Sequence, residues 1–361
     1  RRFFSCIPET CIAICKLEAY NESVIKKFSA HFQRRNQHMN AWISDACEKQ
    51  FHLSRFHSSV STEVIAGLTT FATMGYVLAV VPHMMGEAGL PGGAVLTAMV
   101  LMIFLTTMAM GLYTNRPFVL APGMGSVAIF SITLVQLQHV SVSIASAIVF
   151  LSGILFILVT VLGIRKAIVM VIPKGIKISI SAGVGMFLAV IGLRNAKLLA
   201  ANAKKVALSF GDLTQPVVIL AMITFIILLA LQARRVKGAA LISIIAGTVI
   251  GIPMGITKIP ATLFTMPDSL APVFFNFDLF GALDVKYLPY LFVFFLPDFF
   301  SSFGTAIGIG GKAGFLDKNG DLPDIDKVFQ VDSVAATLGS FFTIPVLITY
   351  LESGAGVEAG G

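Results

Sequence analysis

"RPFVLAPGMGSVAIF", residues 116–130, and "TIPVLITYLESGAGV", residues 343–357, share one construction. Each begins with a Pro-containing, β-prone stretch of about seven residues. Each then passes to small residues able to start a helix, Gly123-Met124-Gly125 in the first and Ser353-Gly354-Ala355 in the second. Neither stretch is long enough, as a strand, to cross the ~30 Å of hydrocarbon in a bilayer. What these two segments are therefore depends on the solvent around them.

Composition supplies that solvent. Hydrophobic residues make up 56% of the 361 residues, charged residues only 12%, and the mean hydropathy is +0.86, well outside the range of a soluble domain. Not one Asp or Glu occurs between Glu87 and Asp212, while five Lys or Arg fall at 116–177. Thirty Phe against one Trp, with thirty-two Gly, fit lipid-facing surface and close helix contacts. The formal charge of +7 belongs to loops of a membrane protein, and nothing interleaves it with exposed aromatics as a nucleic-acid surface does.

Apolar runs long enough to span lie near 64–82, 93–113, 119–137, 141–163, 174–193, 215–232, 239–256, 286–310 and 328–343, and a last segment opens at about 344. Lys and Arg collect in alternate loops, at Arg116, at Arg165, Lys166 and Lys174, at Arg234, Arg235 and Lys237, and at Lys312, Lys318 and Lys327, which predicts a cytoplasmic N-terminus. The loop holding Arg194, Lys197, Lys204 and Lys205 violates the rule. Residues 1–60 read as a cytosolic extension and 61–361 as the transmembrane domain. Cys6, Cys11, Cys15 and Cys47 are read as reduced cytosolic thiols, and no His pair has zinc-site spacing, so neither metal nor cofactor is implied.

Three soluble or enzymatic motifs fail on their residues. "GIGGKAG" at 308–314 lacks the Gly at 306 and the Ser or Thr at 313 of a phosphate loop, since both positions are Ala. The run from Asp317 has Leu322 and Val328 where a calcium loop needs Gly and Glu. Gly211-Asp212 and Gly320-Asp321 lie in loops, which removes an intramembrane aspartyl protease.

Acids inside the spans are sparse. Asp298, in "FFLPDFFSSFGTAIG", and Glu352 lie deep in apolar sequence, with Asp332 near a span's edge. An ionisable group at that depth is costly unless it faces a partner or a wet cavity. Non-helical backbone at the same depth is tolerated only where protein or a cavity satisfies it. A pair of interrupted spans in corresponding parts of a chain, with acids beside them, predicts a midplane binding site in an inverted-repeat transporter.

Five stretches then carry a resemblance: "STEVIAGLTTFATMGYVLAVVP", "LYTNRPFVLAPGMG", "IPKGIKISISAGVGMFLAVIGLRNA", "GKAGFLDKNGDLP" and "TYLESGAGVEAGG". Over about Phe51 to Gly361 the chain resembles the adenine/guanine/hypoxanthine permeases, the AzgA-like branch of the nucleobase transporter superfamily. The resemblance implies an all-α polytopic membrane protein of fourteen spans, built as two inverted seven-span repeats with spans 3 and 10 each a short strand and a half-helix. About ten spans are present, and the transporter domain is expected to be incomplete at its C-terminus. A purine nucleobase and protons are the implied cargo, a lipid bilayer the setting, the plasma membrane the expected location and a homodimer the analogous assembly.

The same resemblance places a carboxylate at Glu352 and sets one departure. Where the family pattern has a second Asp in span 8, this chain has Ser301, three residues after Asp298 and on roughly the same helix face. Asp298 is then the group to supply the lost charge, and Asp298 and Glu352 are the proton-coupling candidates. Glu352, Asp298, Ser301, Ser302, Thr73, Phe71, Gly123, Met124 and Tyr350 form the expected substrate-binding set. Thr70, Phe71 and Thr73 also fit plain helix packing, and Gly304, Gly308 and Gly311 a close-packing face. The alternatives are an anion transporter or channel of the same fold, which would want Lys or Arg rather than an acid at the site, and a non-transporting fragment.

Overall fold

The computed structural model of the chain describes residues 45–56, 58–164, 196–202, 207–234, 236, 239–257, 266–318 and 322–361, with isolated positions between 179 and 194. The span expected at 174–193, the thiols Cys6, Cys11 and Cys15 and the basic residues Arg165, Lys166, Lys174, Lys204, Lys205, Arg235, Lys237 and Lys258 lie outside these. The chain divides into two units, Arg1–Val60 and Ser61–Gly361. In the first, residues 45–51 are helical and Leu53–Phe56 form a 3-10 turn, closed by the Ser54 amide donating to Glu48 at 3.0 Å.

The second unit is helical and begins with α1 (Val60–Met74) and α2 (Val77–Glu87), one apolar stretch of 28 residues interrupted at Gly75-Tyr76. Next comes α3 (Gly92–Thr114), ended by Asn115 in the left-handed conformation at φ 52°, its amide donating to the Gly111 carbonyl. The first interrupted segment follows as β1 (Leu120–Pro122) and α4 (Met124–Ala128), which continues as a π-helix over Ile129–Leu137. Ser141 caps α5 (Val142–Val161), accepting from the Ile144 amide.

Beyond α5, β2 (Leu199–Asn202) and β3 (Ala207–Phe210) pair antiparallel, with Leu199 opposite Phe210. This hairpin follows Arg194 and Lys197 and is an element the all-α expectation lacked. Two helices then pack on each other, α6 (Pro216–Ala233) and α7 (Ala239–Gly251). The latter stops five residues short of the expected 256, because Pro253 cannot continue the ladder and Gly255 turns the chain at φ +70°. A short α8 (Leu279–Ala282) leads into α9 (Leu288–Lys312), α10 (Ile325–Ser340), β4 (Leu347–Thr349) and α11 (Ser353–Glu358). Among the described residues five helices are long and apolar enough to cross a membrane. The sixteen-residue α10, where a span was expected at 328–343, is too short to be one of them, and Asp332, Ser333, Thr337 and Ser340 on it are buried.

The core forms where α10 packs on α5 and α3, α9 packs on α5, and β4 lies against both α9 and α10. Phe118, Phe130, Phe156, Phe294 and Phe299 are its largest fully buried rings, and Phe156 meets Phe295 edge-on at 5.7 Å. In lipid such rings gain little from leaving an already apolar medium, so helix association rests on close fit. Gly153 on α5 supplies that fit against α10: a Cβ there would stand 2.7 Å from Thr337 Oγ1 and 2.9 Å from Thr337 Cα. The second of these is backbone and cannot swing aside.

Gly153→Ala is therefore expected to destabilise the detergent-solubilised protein by about 1–3 kcal/mol. Truncating Thr337 to Ala should not restore it, because the overlap with the backbone of residue 337 persists. Gly67→Ala, at a position with nothing within 4 Å, is the control and should stay within about 0.5 kcal/mol of the parent. Thermal denaturation of the three variants measures the difference.

Candidate substrate site at the strand crossing

Two three-residue strands meet in the middle of the second unit. Leu120 faces Thr349, Ala121 faces Ile348 and Pro122 faces Leu347 in an antiparallel pair. The ladder extends outward through Gly123, whose amide donates to the Val346 carbonyl at 2.9 Å, and Tyr350, whose amide donates to the Val119 carbonyl at 2.9 Å. Strand edges that face helices are satisfied by side chains. Thr107 Oγ1 on α3 accepts from the Leu120 amide at 3.1 Å, and Asp332 Oδ1 on α10 accepts from the Thr349 amide at 3.1 Å and the Thr349 hydroxyl at 3.2 Å. Ser353 Oγ accepts from the Val119 amide at 3.0 Å and donates to the Tyr350 carbonyl at 2.7 Å. An unmade bond at any of these buried groups costs about 1–3 kcal/mol.

Each strand hands the chain to a helix at a position facing an acid. After β1, Gly123 starts α4, and a Cβ on it would sit 3.2 Å from Asp298 Oδ1. Asp298, on α9 and only 4% exposed, accepts from the Ser126 hydroxyl through Oδ2 at 2.5 Å. After β4, Glu352 forms the first residue before α11 and is half-buried; its Oε1 accepts from the Tyr76 hydroxyl at 2.8 Å. Tyr76 stands at the interruption between α1 and α2. The other end of α11 carries a Lys312–Glu358 pair at 2.6 Å, too exposed to contribute much.

Of the residues expected to line the site, Glu352, Asp298 and Gly123 stand at the two strand ends, and Met124 is half-buried at the start of α4. Tyr350 is buried, and its hydroxyl donates to the Pro122 carbonyl at 2.5 Å, so that group is committed to the strands. Ser301 is half-buried on α9, while Ser302 is 1% exposed and its Oγ makes no hydrogen bond among the described residues. Thr73 and Phe71 point elsewhere. The Thr73 hydroxyl donates to the carbonyls of Thr69 and Thr70 in its own helix. Phe71 is 59% exposed and lines an apolar groove of about 690 Å³ between α1 and α3, whose lining includes neither Glu352 nor Asp298.

Tyr76, Ser126 and Asp332 are the groups that sequence reasoning missed. Tyr76 lies in a span whose apolar pattern hides its break, and Ser126 is one of many small residues in its stretch. Asp332 reads as a span-edge acid yet has 0% exposure. Its place follows from Thr349, seventeen residues on, and no local signal marks it. Chemically, Asp298 and Glu352 bring carboxyl oxygens to the two strand ends.

The chain matches the model of the permease family (Xan_ur_permease) over residues 61–361. It is 37% identical over 314 residues to a permease of Methanocaldococcus jannaschii, covering 87% of this chain and 72% of that one. Adenine permease AdeP of Escherichia coli is 33% identical over 314 residues, 87% of this chain and 70% of its own. Guanine/hypoxanthine permease PbuO of Bacillus subtilis is 34% identical over 316 residues, 86% and 73% of the two. Among solved structures the transmembrane domain of the cyanobacterial bicarbonate transporter BicA superposes with a TM-score of 0.59 at 15% identity, over 83% of this chain and 76% of that one. Murine Slc26a9, an anion transporter, gives 0.55 at 11% identity, over 84% and 54%. These two speak for the fold alone, that of a helical multi-pass membrane transporter. The resemblance to nucleobase permeases first carried by five sequence stretches is thus matched along the whole second unit, and the chain belongs to the permease family, as a membrane transporter and not an enzyme.

Proposed function

We propose that the protein carries a purine nucleobase, adenine, guanine or hypoxanthine, across a membrane by proton symport. The observation that carries this reading is a carboxylate, Glu352, half-buried between strand β4 and α11, with one oxygen accepting from the Tyr76 hydroxyl. A purine offers ring N–H and exocyclic N–H donors along one edge, and a carboxylate oxygen is the matching acceptor. Relatives named for adenine and for guanine and hypoxanthine support the substrate class. Met124 borders the base, and Ser301, Ser302 and Asp298 on α9 form the opposite wall.

An anion cargo fits less well, although the solved neighbours named above include a bicarbonate transporter. Two carboxylates at the crossing oppose an anion, which calls for cations there. For coupling, Asp298 is the group placed to exchange a proton, since Ser301 cannot ionise. The finer architecture belongs to the same proposal: fourteen spans in two inverted repeats of seven, a cytoplasmic N-terminal extension at 1–60, the plasma membrane, and a homodimer.

In cells lacking their own purine uptake, the full chain is expected to accumulate radiolabelled adenine, guanine or hypoxanthine; uptake of bicarbonate or sulfate without a purine signal overturns the reading. Glu352→Gln keeps the shape, satisfies Tyr76 with its carbonyl and turns an NH2 toward the base. Loss of one charge-assisted hydrogen bond of about 1.5–3 kcal/mol predicts a fall in purine affinity of roughly one to two orders of magnitude, with the melting temperature little changed. Affinity within about threefold of the parent, under ~0.7 kcal/mol, removes Glu352 from the site. Asp298→Asn is expected to flatten the pH dependence of uptake, and an unchanged profile assigns Asp298 to structure.

A further inference from the structure

We propose that Tyr76 is the positioning residue for Glu352: its hydroxyl occupies Oε1 and so fixes which carboxylate oxygen faces the base. The inference rests on the reading of Glu352 as a substrate contact. Its geometry comes from two independent places. Tyr76 donates to Glu352 Oε1 at 2.8 Å across 276 residues of sequence, from the turn that separates α1 from α2. One turn into α11, Gly356 comes so close to α1 that a Cβ would overlap Thr70 Oγ1 and stand 2.9 Å from the Ala66 carbonyl oxygen. The half-helix after Glu352 is thereby seated on the helix that leads to Tyr76, and the pair is set by the backbone.

A glutamate at the end of a strand has three side-chain torsions to order before it can meet a ligand. Ordering them at the moment of binding weakens affinity, and a pre-formed bond removes that cost. Tyr76 supplies the bond without competing for the ligand's position, because a carboxylate has a second oxygen with free lone pairs. A tyrosine does this better than a cation would, since it orients the carboxylate and leaves its charge uncompensated for the base's N–H groups.

The test is a binding and uptake comparison on the full chain with radiolabelled hypoxanthine as the probe. Tyr76→Phe keeps the ring and removes only the donor. It should raise Kd and the apparent KM about tenfold while the maximal rate and the melting temperature hold, the loss of one ordered hydrogen bond to a charged group. Glu352→Asp withdraws the carboxylate by one methylene from the Tyr76 hydroxyl. In that background Tyr76→Phe should change Kd by less than about twofold, because the bond it removes is already broken.

The same tenfold loss in both backgrounds shows Tyr76 acting on its own, and it overturns the proposal. So does an unchanged Kd for Tyr76→Phe alongside a large loss for Glu352→Gln, which leaves Glu352 in the site and makes Tyr76 a packing residue. If Glu352→Gln and Glu352→Asp both bind hypoxanthine like the parent, the reading of the site itself fails, and Tyr76 with it. Should Tyr76→Phe not survive extraction, 3-fluorotyrosine at position 76 keeps the ring and strengthens the donor. It is expected to tighten binding in the parent and not in Glu352→Asp, and an equal response in both overturns the inference.

Discussion

Backbone amides and carbonyls at the depth of a bilayer have no water to turn to, and the pairing of β1 with β4 is how this chain answers that constraint. Six residues are taken out of helix in the middle of the unit, and each exposed edge then needs a donor or acceptor from somewhere else. Thr107, Asp332, Ser353 and the Tyr350 hydroxyl supply them, from α3, α10, the start of α11 and the strand end respectively. Because the partners come from helices far apart in sequence, the crossing cannot form until those helices have packed. Once formed, it holds Gly123 and Glu352 at opposite ends of a short, rigid piece of sheet.

The two interrupted segments are joined to the unbroken helices in a reciprocal way. The segment after β1 is tied to α9 by Ser126 and Asp298, and the segment after β4 is tied to the α1–α2 turn by Glu352 and Tyr76. In each case one member is an acid that would be expensive to leave alone at that depth. Among the described residues neither acid is paired with Lys or Arg, and each accepts from a hydroxyl. A hydroxyl satisfies one oxygen of the carboxyl group and leaves the other oxygen with lone pairs.

The same backbone plan superposes on proteins that move bicarbonate and other anions at 11–15% identity. A fold so widely shared does not choose a cargo, and any such choice lies with individual side chains. Here the strand ends present oxygen acceptors. The polar face of α10 belongs to the same plan: it carries Asp332, Ser333, Thr337 and Ser340 inward against protein, which is why that helix is less apolar than its neighbours.

Much of this architecture is written locally. Long apolar runs placed the helices Gly92–Thr114, Val142–Val161 and Pro216–Ala233 within a residue or two, because a helix that must cross lipid cannot hide its length. Pro and Gly marked both interrupted segments for the same reason, as breaks are conspicuous in such a background. Glu352 and Asp298 were visible as acids where acids are rare. Partnership was not visible. Tyr76 meets Glu352 across 276 residues, Ser126 meets Asp298 across 172, and Asp332 meets Thr349 across a reversal of the chain. Which way Phe71 and Thr73 face on α1 was not legible either, since rotation about a helix axis is set by neighbours and no single span encodes it. By itself the sequence determined a membrane protein, several of its long helices, its two breaks and its acids, all consequences of what lipid permits along one segment. Only the tertiary structure decided which hydroxyl faces which acid, because that depends on the packing of helices that the sequence keeps apart.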